Sequence, residues 1–202
     1  MVPVWDISPP FHSSLVAESQ LFGEIILHDM PDSFRARESI WVPHILNDMK
    51  ANEHTVLIGH SSGAEAAMRV AEQRKVKGLV LLAACETDCG NEDEAQSGYY
   101  DKPWDWDRIK SNTEWILQYH SKDDPMIPSS EAESVAMNLD SDFTMYEDKG
   151  HFMTSKDVEH IPADVRKKLQ VRGNPEFVKQ MLMSLKYTNS FKSVLKDKSS
   201  LT

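Results

Sequence analysis

Glycine is scarce in this chain: 202 residues contain 8, and none precedes Gly23. That is about 4% where roughly 7% is usual. No glycine-rich phosphate-binding turn is present, which argues against a dinucleotide or nucleotide site. Cysteine is limited to Cys85 and Cys89. A chain this long can hold itself together by its core, so the expectation is reduced thiols in a cytoplasmic protein. No apolar run approaches the roughly 18 residues that cross a bilayer. The first residues also lack the basic stretch followed by an apolar one that marks a secretory leader. Basic charge is short, with 22 Lys and Arg against 32 Asp and Glu for a net charge of −10. That balance opposes unaided binding to nucleic acid or to an anionic membrane.

What is there is a pattern of short apolar runs alternating with amphipathic stretches, as in a parallel sheet covered by helices. Glu24–His28, Thr55–Ile58, Gly78–Ala84, Glu114–Tyr119 and Phe143–Tyr146 read as strands. Ala36–Met49, with Pro43 marking a kink or boundary, Ala64–Gln73, the opening at Trp104–Lys110, Ser129–Leu139 and a closing segment Pro175–Tyr187 read as helices. Glu86–Ser97 is acidic, polar and without period, so a loop is expected there. The length fits one domain over residues 1–187, with 188–202 as a polar, Lys-rich tail. The fold class expected is three-layer α/β, a mostly parallel sheet with helices on both faces.

Gly59-His60-Ser61-Ser62-Gly63 matches G-x-S-x-G between a buried strand and a small-residue helix. There the backbone must turn sharply and lift Ser61 above the sheet edge, which requires glycine two residues to either side. A serine hydroxyl needs a base, and the base needs a group that fixes its tautomer. Three histidines follow Ser61: His120, His151 and His160. His120 precedes the strong acid candidates, and His160 lies in a later polar stretch. His151 directly follows a strand, on a loop at the edge where Ser61 emerges, and is the preferred base. The acid is expected from Ser121–Pro128, where Asp123 and Asp124 are adjacent; Asp124 is preferred, and either could cap a turn while the other orients the imidazole.

These residues resemble the retinoblastoma-binding protein 9 family of small α/β-hydrolase-fold serine hydrolases. The resemblance runs from about Ile25 to Phe152. It rests on Met30-Pro31-Asp32, Ala36–Trp41, Ile58–Ala64, Ala66–Arg69, Ser97-Gly98-Tyr99, Pro103-Trp104, Asp123-Asp124-Pro125 and Gly150-His151-Phe152. It implies a triad of Ser61, Asp124 and His151 that hydrolyses small ester or amide substrates through an acyl-serine intermediate, with no metal or cofactor. The family's pocket-protein motif, L-x-C-x-E, falls on Met49-Lys-Ala-Asn-Glu53, which lacks the Leu and the Cys. That partner is therefore not expected.

One part of the pattern departs from the family. Acyl transfer needs two donors at the developing oxyanion, one from the Ser62 amide and one from a loop after the first central strand. In the family that loop is glycine-rich. Here the chain opens Met1-Val-Pro-Val-Trp-Asp-Ile-Ser-Pro-Pro10, without glycine. The first central strand is thus expected to be missing, or replaced by a different N-terminus. Val2–Ile7 could attempt a strand, but Pro3 would remove a ladder donor. An unfilled centre would leave backbone groups unpaired at roughly 1 kcal/mol or more each. The alternative to an active hydrolase is accordingly an impaired hydrolase fold that binds another protein. For the substrate pocket the expectation is Trp104, Trp106 and Phe152, with core packing as the competing role of each.

Overall fold

The computed structural model describes residues 24–27, 29–170 and 181–185. Six strands form one sheet: β1 Glu24–Leu27, β2 Thr55–His60, β3 Gly78–Leu82, β4 Ile116–Ser121, β5 Asp142–Tyr146 and β6 Met181–Leu185. Their spatial order is β1-β6-β2-β3-β4-β5, and every pairing is parallel.

Side-chain alternation builds the layers. Leu57, Leu79 and Leu81 point to one face, where they meet helices α1 (Glu38–Pro43), α2 (Ser62–Gln73), α4 (Trp106–Ser111) and α5 (Ser129–Leu139) through Trp41, Met68, Ile109 and Val135. Val56, Ile58, Val80 and Leu82 point to the other, under Phe152 and helices α6 (Ser155–Val158) and α7 (Ile161–Gln170). Burial on both faces explains why β2 and β3 read as continuous apolar runs. Each fully buried Leu or Ile there contributes about 1.5 to 3 kcal/mol. In α1 Pro43 has no amide to donate, and the chain widens into a π-helical turn over His44–Asp48. Pro43 is thus a boundary between two helical segments, one of the two roles expected at that proline.

Two expectations need correction. Residues 181–185, expected inside a helix, form β6. Met and Leu favour a helix in isolation, but this segment lies between two parallel strands. Met181 to Leu185 stand opposite Thr55 to Gly59 on one side, and Met181 to Ser184 opposite Glu24 to Leu27 on the other. A slot that pairs backbone on both sides outweighs local propensity. The centre of the sheet, expected to lack a strand, is therefore filled from the C-terminal part of the chain. The acidic segment 86–97, expected to be without regular structure, contains a helical turn, α3 (Glu92–Ala95). Asn91 caps it by accepting from the Asp93 and Glu94 amides. Val2–Ile7 and the tail 188–202 lie outside the described residues.

Candidate active site

Ser61 stands at the β2–α2 junction, where the sequence places it. Its backbone has φ 54° and ψ −131°, a conformation that costs a non-glycine residue on the order of 1 to 3 kcal/mol. The turn is tight enough that a Cβ on Gly59 would lie 2.2 Å from the Gly63 carbonyl oxygen. The Ser61 amide donates to the Leu82 carbonyl at 3.0 Å, tying the turn to β3. The Ser62 amide opens α2, where a helix has no acceptor of its own for its first N–H groups.

The β4–α5 and β5–α6 loops bring the other candidates to the same sheet edge. His151 Nδ1 lies 2.8 Å from Asp124 Oδ2, and both side chains are almost fully buried. The other oxygen, Asp124 Oδ1, accepts from the amides of Met126 and Ile127 at 2.8 and 3.1 Å. Burial pushes the Asp124 carboxyl up, but the His151 ring and the two amides outweigh it and hold the carboxyl below its usual range.

Asp123 has a different place. Its Oδ1 accepts from the Ser121 hydroxyl at 2.6 Å and from the Gly150 amide at 2.8 Å, while the Lys149 amide donates to Ser121 Oγ at 2.8 Å. Asp123 thus anchors the turn that carries His151. The turn is sharp, with Gly150 at φ 51° and Phe152 at φ 52° on either side of that histidine.

His60, which the sequence reading did not assign, supports the same histidine. Its Nε2 lies 2.8 Å from the His151 carbonyl oxygen, so that nitrogen carries the proton and donates. The two rings are 4.8 Å apart. Burial and the neighbouring His151 lower the His60 pKa to about 3, leaving the ring uncharged at neutral pH. Nothing in G-x-S-x-G specifies this residue, because the contact spans 91 positions of sequence. His120 supports the acid loop in a similar way, with its Nε2 donating to the Ile127 carbonyl at 3.1 Å. His160 belongs to a separate aromatic cluster, 2.9 Å from the Tyr146 hydroxyl and edge-on to Tyr119.

A cavity of about 40 Å³ opens over Ser61 and Ser62. Met126 and Ile127 of the β4–α5 loop line it, together with Glu65, Cys85, Cys89, Glu94 and Tyr100 among others. The three expected pocket residues are elsewhere. Trp104 covers the guanidinium of Arg69, whose carbon lies 3.7 Å from the ring centroid, stacks on Trp106 at 5.5 Å and donates to the Glu86 carbonyl at 2.9 Å. Arg69 is fully buried and binds the carbonyls of Tyr99, Lys102 and Pro103 as well as Glu72. The tryptophan pair therefore shields a buried cation. Phe152 packs in the core edge-on to Tyr146.

Residues 1–169 match the serine hydrolase family. The chain belongs to it. Serine hydrolase RBBP9 of Rattus norvegicus is 44% identical over 133 residues, 66% of this chain and 72% of that protein. Among solved structures, the ydeN gene product of B. subtilis shares the fold with a TM-score of 0.61 at 20% identity, over 71% of this chain and 81% of that one. A meta-cleavage product hydrolase from Pseudomonas fluorescens shares it at 0.58 and 14% identity, over 84% and 87%. The architecture is that of the α/β hydrolases and the protein is a serine hydrolase. No helix among the described residues is long and apolar enough to cross a membrane.

Proposed function

We propose that the protein hydrolyses small carboxylic esters or amides through an acyl-serine intermediate, with Ser61 as nucleophile, His151 as general base and acid, and Asp124 orienting His151. The observation that carries this reading is the 2.8 Å contact between His151 Nδ1 and Asp124 Oδ2 at the sheet edge from which Ser61 projects. Asp124 keeps the proton on Nδ1 and leaves Nε2 to take the Ser61 proton during attack and return it to the leaving group. The carbonyl oxygen becomes an oxyanion, and the Ser62 amide donates to it at the head of α2, where the helix dipole adds positive potential. Water then attacks the acyl-enzyme by the same proton route. The narrow cavity, with Met126 and Ile127 beside the nucleophile, suits short acyl groups. Two free thiols fit a cytoplasmic setting.

A fluorophosphonate probe tests the assignment. The wild-type protein should be labelled and should turn over a short-chain activated ester, and Ser61→Ala should lose both. Labelling that persists in Ser61→Ala would sink the nucleophile assignment. Turnover that rises steadily with acyl length would overturn the short-acyl preference.

A further inference from the structure

Both cysteines of the chain line the cavity over Ser61. Cys85 follows β3 and is buried, while Cys89, four residues on, is exposed and holds φ 52°. The segment between them is pinned: the Cys85 amide donates to Glu65 Oε1 at 2.9 Å, and the Glu86 and Thr87 amides both donate to Glu131 Oε2 at 3.0 Å. Both thiols line the same cavity of about 40 Å³, and each shifts the pKa of the other. The Tyr100 hydroxyl lies 3.2 Å from Cys85 Sγ on the cavity side.

We propose that Cys89 and Cys85 form a thiol modification site in the wall of the active-site cavity, where a hydroperoxide oxidises Cys89 and Cys85 resolves the product to a disulfide. The two thiols are not equivalent. The neighbouring Cys85 thiol lowers the Cys89 pKa, against the opposing effects of burial, Glu131 and Asp88. The Cys89 thiol, burial and the Glu65 carboxyl raise that of Cys85. The exposed sulfur is therefore the one favoured as thiolate, which is the reactive form.

In the first step Cys89 sulfur attacks a peroxide oxygen and the O–O bond breaks. Sulfenic acid forms on Cys89, and the departing alkoxide takes up the thiol proton as an alcohol. In the second step Cys85 sulfur attacks Cys89 sulfur and the S–O bond breaks. Hydroxide leaves and takes the Cys85 proton as water. Two thiols lose two electrons and two protons, and the hydroperoxide is reduced to alcohol and water. Tyr100 donates to the Cys85 sulfur as its proton departs. The disulfide draws Cys89 inward over Ser61 and narrows the cavity, a consequence that rests on the hydrolase reading, whereas the sulfur chemistry does not.

The test treats the full chain with a small excess of tert-butyl hydroperoxide and follows residues 78–108, a single tryptic peptide that holds both cysteines, since Pro103 blocks cleavage after Lys102. In the wild type and in Ser61→Ala the peptide should lose two hydrogen masses and recover them with dithiothreitol. In Cys85→Ser, dimedone should trap the sulfenic acid on Cys89. In Cys89→Ser, the same dose should leave Cys85 as a thiol. Ester turnover of the wild type should fall about tenfold on oxidation and return on reduction, with Cys89→Ser unaffected. A wild-type peptide that keeps both thiols, or equal reactivity of Cys85 and Cys89 in the two single variants, overturns the proposal. Because Ser61→Ala reports the disulfide without turnover, failure of this site and failure of the triad assignment are read separately.

Discussion

The two walls of the cavity over Ser61 are held by different chemistry. The acid–base side, which reaches the cavity through Met126 and Ile127, is fixed mainly by bonds to main-chain groups. Asp124 accepts from two amides, Asp123 accepts from Gly150, and two uncharged histidines donate to the carbonyls of His151 and Ile127. The opposite wall hangs on carboxylates from distant segments: Glu65 on Cys85, Glu131 on residues 86 and 87, and Glu94 on the Ser62 hydroxyl at 3.3 Å. One wall holds reacting groups in register, where a small displacement is costly. The other shapes the space around the substrate and can shift at lower cost.

That contrast can be tested by breaking each wall in turn. Asp124→Asn keeps an oxygen for the Met126 and Ile127 amides but no longer fixes the His151 tautomer. We expect kcat to fall by roughly 10³ to 10⁴, measured with an activated ester. Next comes acid. His60 is buried uncharged with a folded pKa of about 3, against roughly 6.5 when unfolded. Its contribution to stability is fully present above the unfolded pKa and is lost as pH falls through that window towards the folded value. The full shift corresponds to at most about 5 kcal/mol. Denaturant titrations between pH 7 and pH 4 should show this loss, and His60→Gln should flatten it. Asp124, whose pKa is depressed, adds stability that is lost only at lower pH, below the usual carboxylate range.

Asp123→Ala removes the anchors to Gly150 and Ser121. Steady-state kinetics should show kcat falling around tenfold with KM nearly constant. The smallest effect belongs to the other wall. Glu131→Gln weakens the hold on Glu86 and Thr87 and should raise KM a few-fold with kcat unchanged, at a stability cost of roughly 0.5 to 1 kcal/mol. A kcat loss in Glu131→Gln as large as that in Asp123→Ala would abolish the distinction between the walls.

Much of this was legible in the sequence because it is local. G-x-S-x-G marks a backbone turn whose constraint lies within five residues, and Ser129–Leu139 is a helix with the bounds its pattern indicates. The preference for Asp124 over Asp123 rested on order and resemblance. The distances show why the choice was hard, since both carboxylates bond to the loop around His151 and only one reaches the ring. What the sequence could not show depends on contacts between distant segments. Trp104 and Trp106 read as pocket aromatics until the buried Arg69 beneath them is seen. β6 reads as helix until the slot between β1 and β2 is seen. Residues 161–170 form α7, and their polar face obscured the buried Ile161 and Val165 that pack against the sheet.

The position of β6 has a consequence for the order in which the protein can be made. A ribosome delivers β1 to β5 before it delivers the strand that joins β1 to the rest, so the sheet cannot close until synthesis has passed Leu185. Until then β1 and the free side of β2 wait with unpaired edges, which is the state in which nascent chains seek chaperones or each other. Because parallel pairing between such distant segments is slow, the final step of folding is also the one that puts a neighbour beside the strand leading to Ser61.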